Sequence, residues 1–136
     1  MENECIFCKI ANGEIPCSKI YETDKLIAFL DIAPVNKGHT LVIPKEHYKD
    51  LIDVPDPLIA EITKAAKKVA KAAVKAVGAE GFNIGQNNGK AAGQIVMHFH
   101  LHVIPRFEND GLVPWPQKKY EEGEMDKVAE TIKSIL

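Results

Sequence analysis

The sequence has little net charge and no long apolar run. Its 136 residues carry 17 Lys and Arg against 19 Asp and Glu, a formal net charge of -2. This balance excludes bulk attraction to nucleic acid, so we expect a partner that is selected by a site. No apolar run approaches the ~18 residues that a membrane span needs. The acidic start, MENECIF, lacks the basic region of a secretion signal. We therefore expect a cytoplasmic protein with no nucleic-acid or membrane partner.

Cysteine is also scarce. Cys5 and Cys8 form a C-x-x-C motif, and Cys17, the third cysteine, stands alone. So few cysteines exclude a disulfide framework and favour a reducing compartment with a metal-binding or redox pair. No strand precedes the motif, which disfavours a thioredoxin-like redox pair. Zinc ligation and a simple pair of buried, reduced thiols remain as alternatives.

The chain has the length of one domain, and we expect a single domain over residues 1–136. The polar turn at residues 23–25 separates the first two β-rich runs and predicts a hairpin. Five runs predict strands, at residues 18–22, 26–31, 39–44, 81–87 and 95–105.

The strongest helix signal begins at Asp56-Pro57 and ends at Gly78. An apolar stripe at three- and four-residue steps runs along it: Leu58, Ile62, Ala66, Val69, Ala73 and Val77. Five lysines lie on the other side, which we interpret as a solvated face because no aromatics interleave with them. A weaker helix is predicted at about Met125 to Ile135. The pattern predicts an α+β fold, a five-stranded antiparallel sheet with one long and two or more short helices.

Three of the five histidines, His98, His100 and His102, lie at alternate positions of one strand-like run. On a strand they share one face, and the apolar residues between them share the other. The apolar face belongs to the core. Three imidazoles need partners for their ring nitrogens, so the histidine face should line a polar cleft.

The spacing of these histidines limits what they can bind. Neighbours in the series are ~6.6 Å apart along a strand and can converge on one ion, but the outer two are ~13 Å apart. At least one imidazole is therefore free for other chemistry, and neutral imidazole is a good nucleophile towards phosphorus. A metallohydrolase that uses His98 and His100 as ligands is the alternative.

A glycine- and amide-rich loop precedes the histidines. Asn87, Gly89, Gly93 and Gln94 offer amide side chains and backbone N–H groups that can approach a phosphate closely. The loop is not a Walker A motif, because its glycines are one residue too close and Ala91 stands where a hydroxyl is needed.

Together, Asn87-x-Gly89, Gly93-Gln94-Ile95-Val96 and the three alternate histidines resemble the signature of the histidine triad (HIT) family. The segments CIFCKI and FLDIAPVNKGHTLVIPKEH extend the resemblance to its Hint-like members. The resemblance implies a HIT-like α+β fold and a homodimer. It also implies an enzyme that binds purine nucleotides and attacks their α-phosphate.

The resemblance assigns His100 as the nucleophile, with His102 against the phosphate. His98 and His39 complete the catalytic histidine cluster, and Asp31 receives the ribose hydroxyls. The remaining substrate-binding positions are Asn87, Gly93, Gln94 and Ile95 near the phosphate, and Ile6, Phe7, Ile10 and Phe29 as an apolar clamp on the base. Ile95 departs from the Ser or Thr of many members, which removes a hydroxyl from the leaving-group side.

The C-x-x-C motif implies zinc within this family. A tetrahedral structural site needs two more ligands beyond Cys5 and Cys8. His47 and His98 resemble the histidines that complete such sites in zinc-bearing members. His98 would then hold metal while His100 attacks.

We therefore expect a hydrolase or transferase of nucleoside monophosphate groups that forms a covalent nucleotidyl-histidine. The expected substrates are purine nucleoside phosphoramidates or related adenylates. A dinucleoside polyphosphate hydrolase and a nucleotide-binding scaffold with incidental hydrolysis are the alternatives.

Overall fold

The structure, a computed structural model, describes residues 4–136, so the first three residues of the acidic start lie outside the described range. Its helices are α1 (Ile6–Ala11), α2 (Asp56–Val77) and α3 (Glu124–Ile135), with a 3₁₀ turn at Lys90–Ala92. Its strands are β1 (Lys19–Glu22), β2 (Leu26–Leu30), β3 (Thr40–Pro44), β4 (Gly81–Gly85) and β5 (Leu101–Arg106).

The five strands form one antiparallel sheet in the order β1-β2-β3-β5-β4. The predicted hairpin joins β1 to β2, and Thr23 Oγ1 accepts bonds from the backbone N–H groups of Lys25 and Leu26, both at 3.2 Å. The predicted α+β fold, with one long and two short helices, is confirmed for residues 4–136.

The long helix α2 packs its apolar stripe on one face of the sheet. Ile62, Ala66, Val69 and Ala73 are buried, as the three- and four-residue steps predict. Gly78 ends the helix in the left-handed conformation, with φ at 69°. The stripe meets buried side chains from the sheet and the loops: Leu26, Ala28, Val42, Val54, Phe99, Leu101 and Val103.

A second, smaller core lies on the opposite face of the sheet. Phe7 of α1 packs there with buried residues of β2 and β3, namely Ile27, Phe29, Leu41 and Ile43. The sequence pattern does not locate α1, because six residues span less than two helical turns and show no clear period. Since side chains alternate along β5, Leu101 and Val103 face α2, and His102 faces the α1 side.

The prediction of a strand over residues 95–105 is wrong at its beginning, because β5 starts at Leu101 and includes only His102 of the three histidines. The β3 to β5 pairing ends at Val42 opposite Leu101. Pro44 lacks the N–H needed to continue the ladder. The segment before β5 instead lies along the next loop, where Phe99 donates its N–H to the Tyr48 carbonyl at 2.7 Å.

The last part of the chain, residues 111–136, is exposed at every position. It contains α3, which begins one residue before the predicted helix and ends where predicted. Within residues 4–136, no helix is both long and apolar enough to cross a membrane.

Candidate active site

All five histidines of the chain meet on the α1 side of the sheet. The ring centroids of His100 and His102 are 5.0 Å apart, and His39 lies 5.2 Å from His102. At the other end, the rings of His47 and His98 are 5.0 Å apart. The two ends of β3 and the start of β5 thus bring together histidines that the sequence places up to 63 residues apart.

The hydrogen bonds of His98 determine which of its nitrogens is free. Nε2 lies 2.8 Å from the carbonyl oxygen of Pro44, which can only accept, so Nε2 carries the proton. The lone pair on Nδ1 then points at Cys5 Sγ, 3.4 Å away, and Cys8 Sγ, 3.5 Å away. Complete burial of the ring lowers the pKa of His98 to about 4, which favours the neutral form that binds metals.

Cys5, Cys8, His47 and His98 form a candidate metal centre. Their ligand atoms lie within 4.8 Å of one another, and Cys8 Sγ is 3.4 Å from His47 Nδ1. The ligand atoms of a tetrahedral zinc site are ~3.3–3.8 Å apart, so the three contacts of 3.4, 3.5 and 3.4 Å among these side chains fit its edges. Local folding places both thiols together, because Cys5 caps α1 and its Sγ accepts the Cys8 N–H at 3.4 Å.

His100 has the opposite ring nitrogen free. Its Nδ1 lies 2.8 Å from the carbonyl oxygen of His98 and must donate to it, which leaves the lone pair on Nε2. Burial lowers the pKa of His100 below its usual 6.5. A neutral, oriented imidazole with a free Nε2 is the state that a nitrogen nucleophile requires.

A chain of hydrogen bonds also determines the proton positions of His39 and His102. The backbone N–H of Val35 donates to His39 Nδ1 at 3.0 Å, so the proton of His39 is on Nε2. That Nε2 donates to His102 Nδ1 at 2.9 Å, which places the proton of His102 on its Nε2. Burial, together with the neighbouring His100 and His39, lowers the pKa of His102 to about 4. His102 therefore offers a neutral N–H donor beside His100.

Asp31 lies at the edge of this cluster, just after β2. Its backbone N–H donates to the His39 carbonyl at 2.9 Å and continues the pairing of β2 with β3. Its Oδ1 accepts the Ala33 N–H at 2.9 Å, and Oδ2 is 3.7 Å from His39 Nε2. With 21% of its side chain exposed, the carboxylate retains accepting capacity for a ligand.

Gln94 organises the loop before the histidines. The side chain is buried, and its Oε1 accepts the Gly89 N–H at 2.8 Å. Its Nε2 donates to the carbonyls of Lys49, at 2.7 Å, and Val96, at 3.1 Å. These bonds occupy the Gln94 amide with the protein itself.

The remaining loop residues lie around the hydrogen bonds of the Gln94 side-chain amide. Gly93 lies against the Asn87 amide, which a Cβ at Gly93 would approach to 3.7 Å, and Ile95 is 89% exposed. The backbone N–H groups of Gly93 and Gln94 donate to Lys90 and Gly89. The next two N–H groups, those of Ile95 and Val96, make no such hydrogen bond to the 3₁₀ turn.

The four residues predicted to hold the base are divided between core and surface. Phe7 and Phe29 are buried and pack edge to face, with centroids 5.8 Å apart. Ile6 is exposed and Ile10 is partly buried on α1. Phe7 also contacts His98 and His100, with centroid distances of 5.9 and 5.1 Å. Base binding by these residues stays a prediction.

Sequence reasoning missed the backbone groups that orient the histidines. The carbonyls of Pro44 and His98 and the N–H of Val35 decide which nitrogen of each ring is available. Every residue has such groups, so no residue pattern distinguishes these three.

Comparison with known proteins adds independent findings. The HIT domain family model matches residues 12–109. The chain is 48% identical over 134 residues to adenosine 5'-monophosphoramidase hnt1 of Schizosaccharomyces pombe, covering 97% of this chain and 98% of that protein. It is 41% identical over 136 residues to adenylylsulfatase HINT3 of Arabidopsis thaliana, covering 100% of this chain and 69% of that protein.

A zinc-bound histidine triad family protein from Mycobacterium smegmatis is similar in structure. Its crystal structure superposes with a TM-score of 0.77 at 39% sequence identity and covers 98% of each chain. The structural similarity therefore extends over nearly the whole of both chains.

Proposed function

This chain belongs to the histidine triad family and is a hydrolase of that family, and from this premise we propose that it cleaves purine nucleoside phosphoramidates or related adenylates at the α-phosphorus. The observation that carries the proposal is the hydrogen bond from His100 Nδ1 to the His98 carbonyl, 2.8 Å long, which frees Nε2 for attack. The relatives named for adenosine monophosphoramidase and adenylylsulfatase activity support this substrate class.

The proposed reaction has two displacements at phosphorus. In the first, the Nε2 lone pair of His100 forms a bond to the α-phosphorus as the bond to the leaving group breaks, and the leaving group takes a proton from solvent. In the second, water forms the new bond to phosphorus and the bond to Nε2 breaks. The nucleoside monophosphate leaves with the hydroxyl group of that water. The other proton of the water goes to solvent, and His100 is neutral again.

Hydrogen-bond donors around the α-phosphate would stabilise its charge during both displacements. His102 carries its proton on Nε2, the nitrogen not bonded to His39, and would donate to a phosphate oxygen. The N–H groups of Ile95 and Val96 would supply further donors from the loop. Because Ile95 has no hydroxyl, this chain has only backbone donors at that position for the leaving group.

The nucleoside would be held by separate groups. Asp31 would accept the two ribose hydroxyls, a geometry that suits a carboxylate. The base would lie against Ile6, Phe7, Ile10 and Phe29, of which Ile6 and Ile10 keep exposed apolar surface for a ligand. Asn87, Gly93 and Gln94 would shape the phosphate side through the loop that the Gln94 amide ties together.

We also propose that zinc is a structural ion in this protein, held by Cys5, Cys8, His47 and His98. When bound, zinc supplies cross-linking between the N-terminal segment and the sheet. Both the spacing of the ligand atoms and the Nδ1 lone pair of His98 support this assignment, as does the zinc-bound relative.

A homodimer is the assembly we propose, following the family resemblance. The edge strand β4 pairs only with β5 among the described residues and exposes Phe82 and Ile84. An open edge with apolar side chains promotes pairing with another chain. A second copy would cover it.

Trapping the covalent intermediate tests the proposed reaction. The wild-type protein is mixed with adenosine 5'-phosphoramidate, quenched in alkali, where a phosphorylated imidazole is preserved, and digested for mass spectrometry. We expect an adenylyl adduct on the peptide containing His100, and none in the His100→Ala variant. Turnover without such an adduct would contradict the mechanism.

A substrate panel separates the alternatives. Diadenosine polyphosphates that are turned over faster than phosphoramidates would identify a dinucleoside polyphosphate hydrolase. Tight nucleotide binding with hydrolysis that the His100→Ala change leaves intact would identify a binding or scaffold protein. Activity that a chelator abolishes at once, before any unfolding, would favour the metallohydrolase alternative.

A further inference from the structure

The loop between β2 and β3 supplies the N–H group that orients the histidine cluster. The Val35 N–H donates to His39 Nδ1 at 3.0 Å, which leaves the proton of His39 on Nε2. Asp31 Oδ2, 3.7 Å from that Nε2, is too far away to hold the proton by a hydrogen bond. Residues 32–35 are exposed at every position, so their own side chains do not pack the loop in place. The loop therefore depends on hydrogen bonds to hold the Val35 N–H against the ring.

The Asn36 side chain fastens this loop to the strand that carries His102. Its Nδ2 donates one proton to the Pro105 carbonyl at 2.9 Å and the other to Asp110 Oδ2 at 2.8 Å. The carbonyl and the ionised carboxylate can only accept, so the amide has one orientation. The backbone carbonyl of Asn36 accepts the His39 N–H at 3.1 Å. Asn36 therefore joins the loop to the end of β5.

The Asp110 carboxylate is held in place to accept that bond. Its side chain is 8% exposed, and Oδ2 also accepts Arg106 Nε–H and the Phe107 N–H, both at 2.9 Å. Oδ1 accepts a second guanidinium N–H of Arg106 and the Leu112 N–H. These bonds, that of Arg106 foremost, hold the pKa of Asp110 well below its usual range. The carboxylate is thus a fixed, charged acceptor for the Asn36 amide.

Close packing at Gly38 sets the distance that the Asn36 amide spans. Gly38 has φ at 88°, in the left-handed region that favours glycine. A Cβ there would lie 3.1 Å from Pro105 Cγ and 3.2 Å from Val77 Cγ1. The missing side chain therefore lets the loop lie directly against Pro105, the residue whose carbonyl Asn36 binds.

We propose that Asn36 and Asp110 are positioning residues for the cleavage at phosphorus and act through the proton of His102. By fixing the loop they keep the Val35 N–H on His39, so that His39 Nε2 donates to His102 Nδ1 at 2.9 Å. His102 then carries its own proton on Nε2, where a phosphate oxygen can accept it. A loosened loop would let the proton of His39 move to Nδ1. Each ring would still carry one proton, but His102 would present a lone pair to the phosphate. This inference rests on the function proposed above.

The ring tautomers test the inference without any substrate. In protein labelled with ¹⁵N-histidine, long-range ¹H–¹⁵N spectra at neutral pH distinguish a protonated ring nitrogen from one with a lone pair. We expect protonated Nε2 in both His39 and His102 of the wild type. We expect a mixture of tautomers in Asn36→Asp, which keeps the shape of the amide but loses both donors. Unchanged signals of His98 and His100 would show that the variant is folded.

Matched variants separate the lost donors from the added charge. Asn109→Asp makes the same chemical change at an exposed residue next to Asp110, with a left-handed backbone that Asn and Asp both tolerate. It should keep the wild-type tautomers. Asn36→Ala, which adds no charge, and Asp110→Asn, which weakens the acceptor, should both give the mixture. Wild-type tautomers in the Asn36 variants or in Asp110→Asn would overturn the inference, as would an equal shift in Asn109→Asp.

Turnover gives a readout that a merely structural role would not move in the same pattern. With adenosine 5'-phosphoramidate, Asn36→Asp should lower kcat by about 10–10²-fold and change KM by less than about threefold, because a donor to the transition state is lost. In a His102→Ala background the same change should lower kcat by less than about threefold, since the donor is already absent. Equal losses in both backgrounds would overturn the inference. The adduct on His100 tests the proposed reaction separately, because the tautomers are measured without nucleotide.

Discussion

His98 and His100 are two residues apart, are both buried, and each donate one ring N–H to a backbone carbonyl at 2.8 Å. His98 donates through Nε2 to Pro44, whereas His100 donates through Nδ1 to His98. Opposite nitrogens are therefore left with lone pairs. One lone pair points at two thiols, and the other is the one that we propose attacks phosphorus. The same residue type in the same sequence pattern thus presents different ring nitrogens, because the acceptor carbonyls lie on different sides.

One side chain contacts both the His98 side and the His100 side of the site. The Phe7 ring is in edge contact with both imidazoles. In the sequence, Phe7 lies in the first turn of α1, between Ile6 and Cys8. Metal binding by the cysteines would hold α1, and α1 would hold Phe7 against the nucleophile. Substitutions on the two sides should therefore separate a chemical role on the His100 side from a stabilising role on the His98 side.

The largest effect should come from removing the proposed nucleophile. We expect His100→Ala to lower turnover by more than the ~10²–10⁴-fold that loss of a general acid or base typically causes. Nucleotide binding should stay within about tenfold, since Asp31 and the base clamp are proposed to supply most contacts. Single-turnover kinetics and equilibrium binding measure the two quantities, and a variant that keeps a tenth of wild-type turnover would disprove the role.

Loss of the thiols should affect stability first. We expect Cys5→Ser/Cys8→Ser to lose bound zinc and more than about 4 kcal/mol of unfolding free energy, a range in which loss of a metal belongs. Turnover should fall only as Phe7 loosens. Zinc stoichiometry, thermal unfolding and activity are compared with Cys17→Ser, whose thiol is exposed and outside the cluster. A double variant that unfolds like this control would refute structural zinc.

A smaller effect is expected from Asp31→Asn, which changes the His100 side without touching the thiols. Asn keeps the oxygen that accepts the Ala33 N–H but loses the charge offered to ribose. Binding of a ribonucleotide should weaken by about 1.5–3 kcal/mol, and the preference over the deoxyribonucleotide should narrow. Calorimetric titration of both nucleotides measures this, with Asp24→Asn in the exposed turn as control. An unchanged preference would remove ribose recognition from Asp31.

The smallest effect is expected on the free energy of unfolding when the pH is lowered. Burial lowers the pKa of His102 to about 4, so between pH 6.5 and 4 the unfolded chain binds a proton that the folded chain does not. Stability contributed by neutral His102 is present above pH 6.5 and is lost as pH falls towards 4. The slope should be below about 1.4 kcal/mol per pH unit, since the ring is partly exposed and screened.

Chemical denaturation at several pH values measures that slope in wild type and in His102→Gln. The substitution should flatten the dependence below pH 6.5 and leave it unchanged above pH 7. An identical slope in both proteins would show that His102 is not buried as a neutral ring.

Much of the fold follows from local patterns in the sequence. The apolar steps from Leu58 to Val77 predict α2, and the polar turn at residues 23–25 predicts the β1 to β2 hairpin. Residues on one helix face or one strand face repeat at fixed intervals, so burial leaves a periodic signal. The short α1 and the true start of β5 leave no such signal, because the first is too brief and the second depends on the missing N–H of Pro44.

The residue pattern alone specifies which chemical groups the site contains: alternate histidines, a C-x-x-C motif, a glycine-rich loop and Asp31. How these groups are arranged around one another depends on the folded structure. It brings Cys5 to within 3.4 Å of His98, 93 residues away, and places the Pro44 carbonyl and the Val35 N–H against particular ring nitrogens. A histidine side chain has two nitrogens of similar chemistry. Which one keeps its lone pair is determined by the backbone group that packing places beside it, and packing is a property of the whole fold.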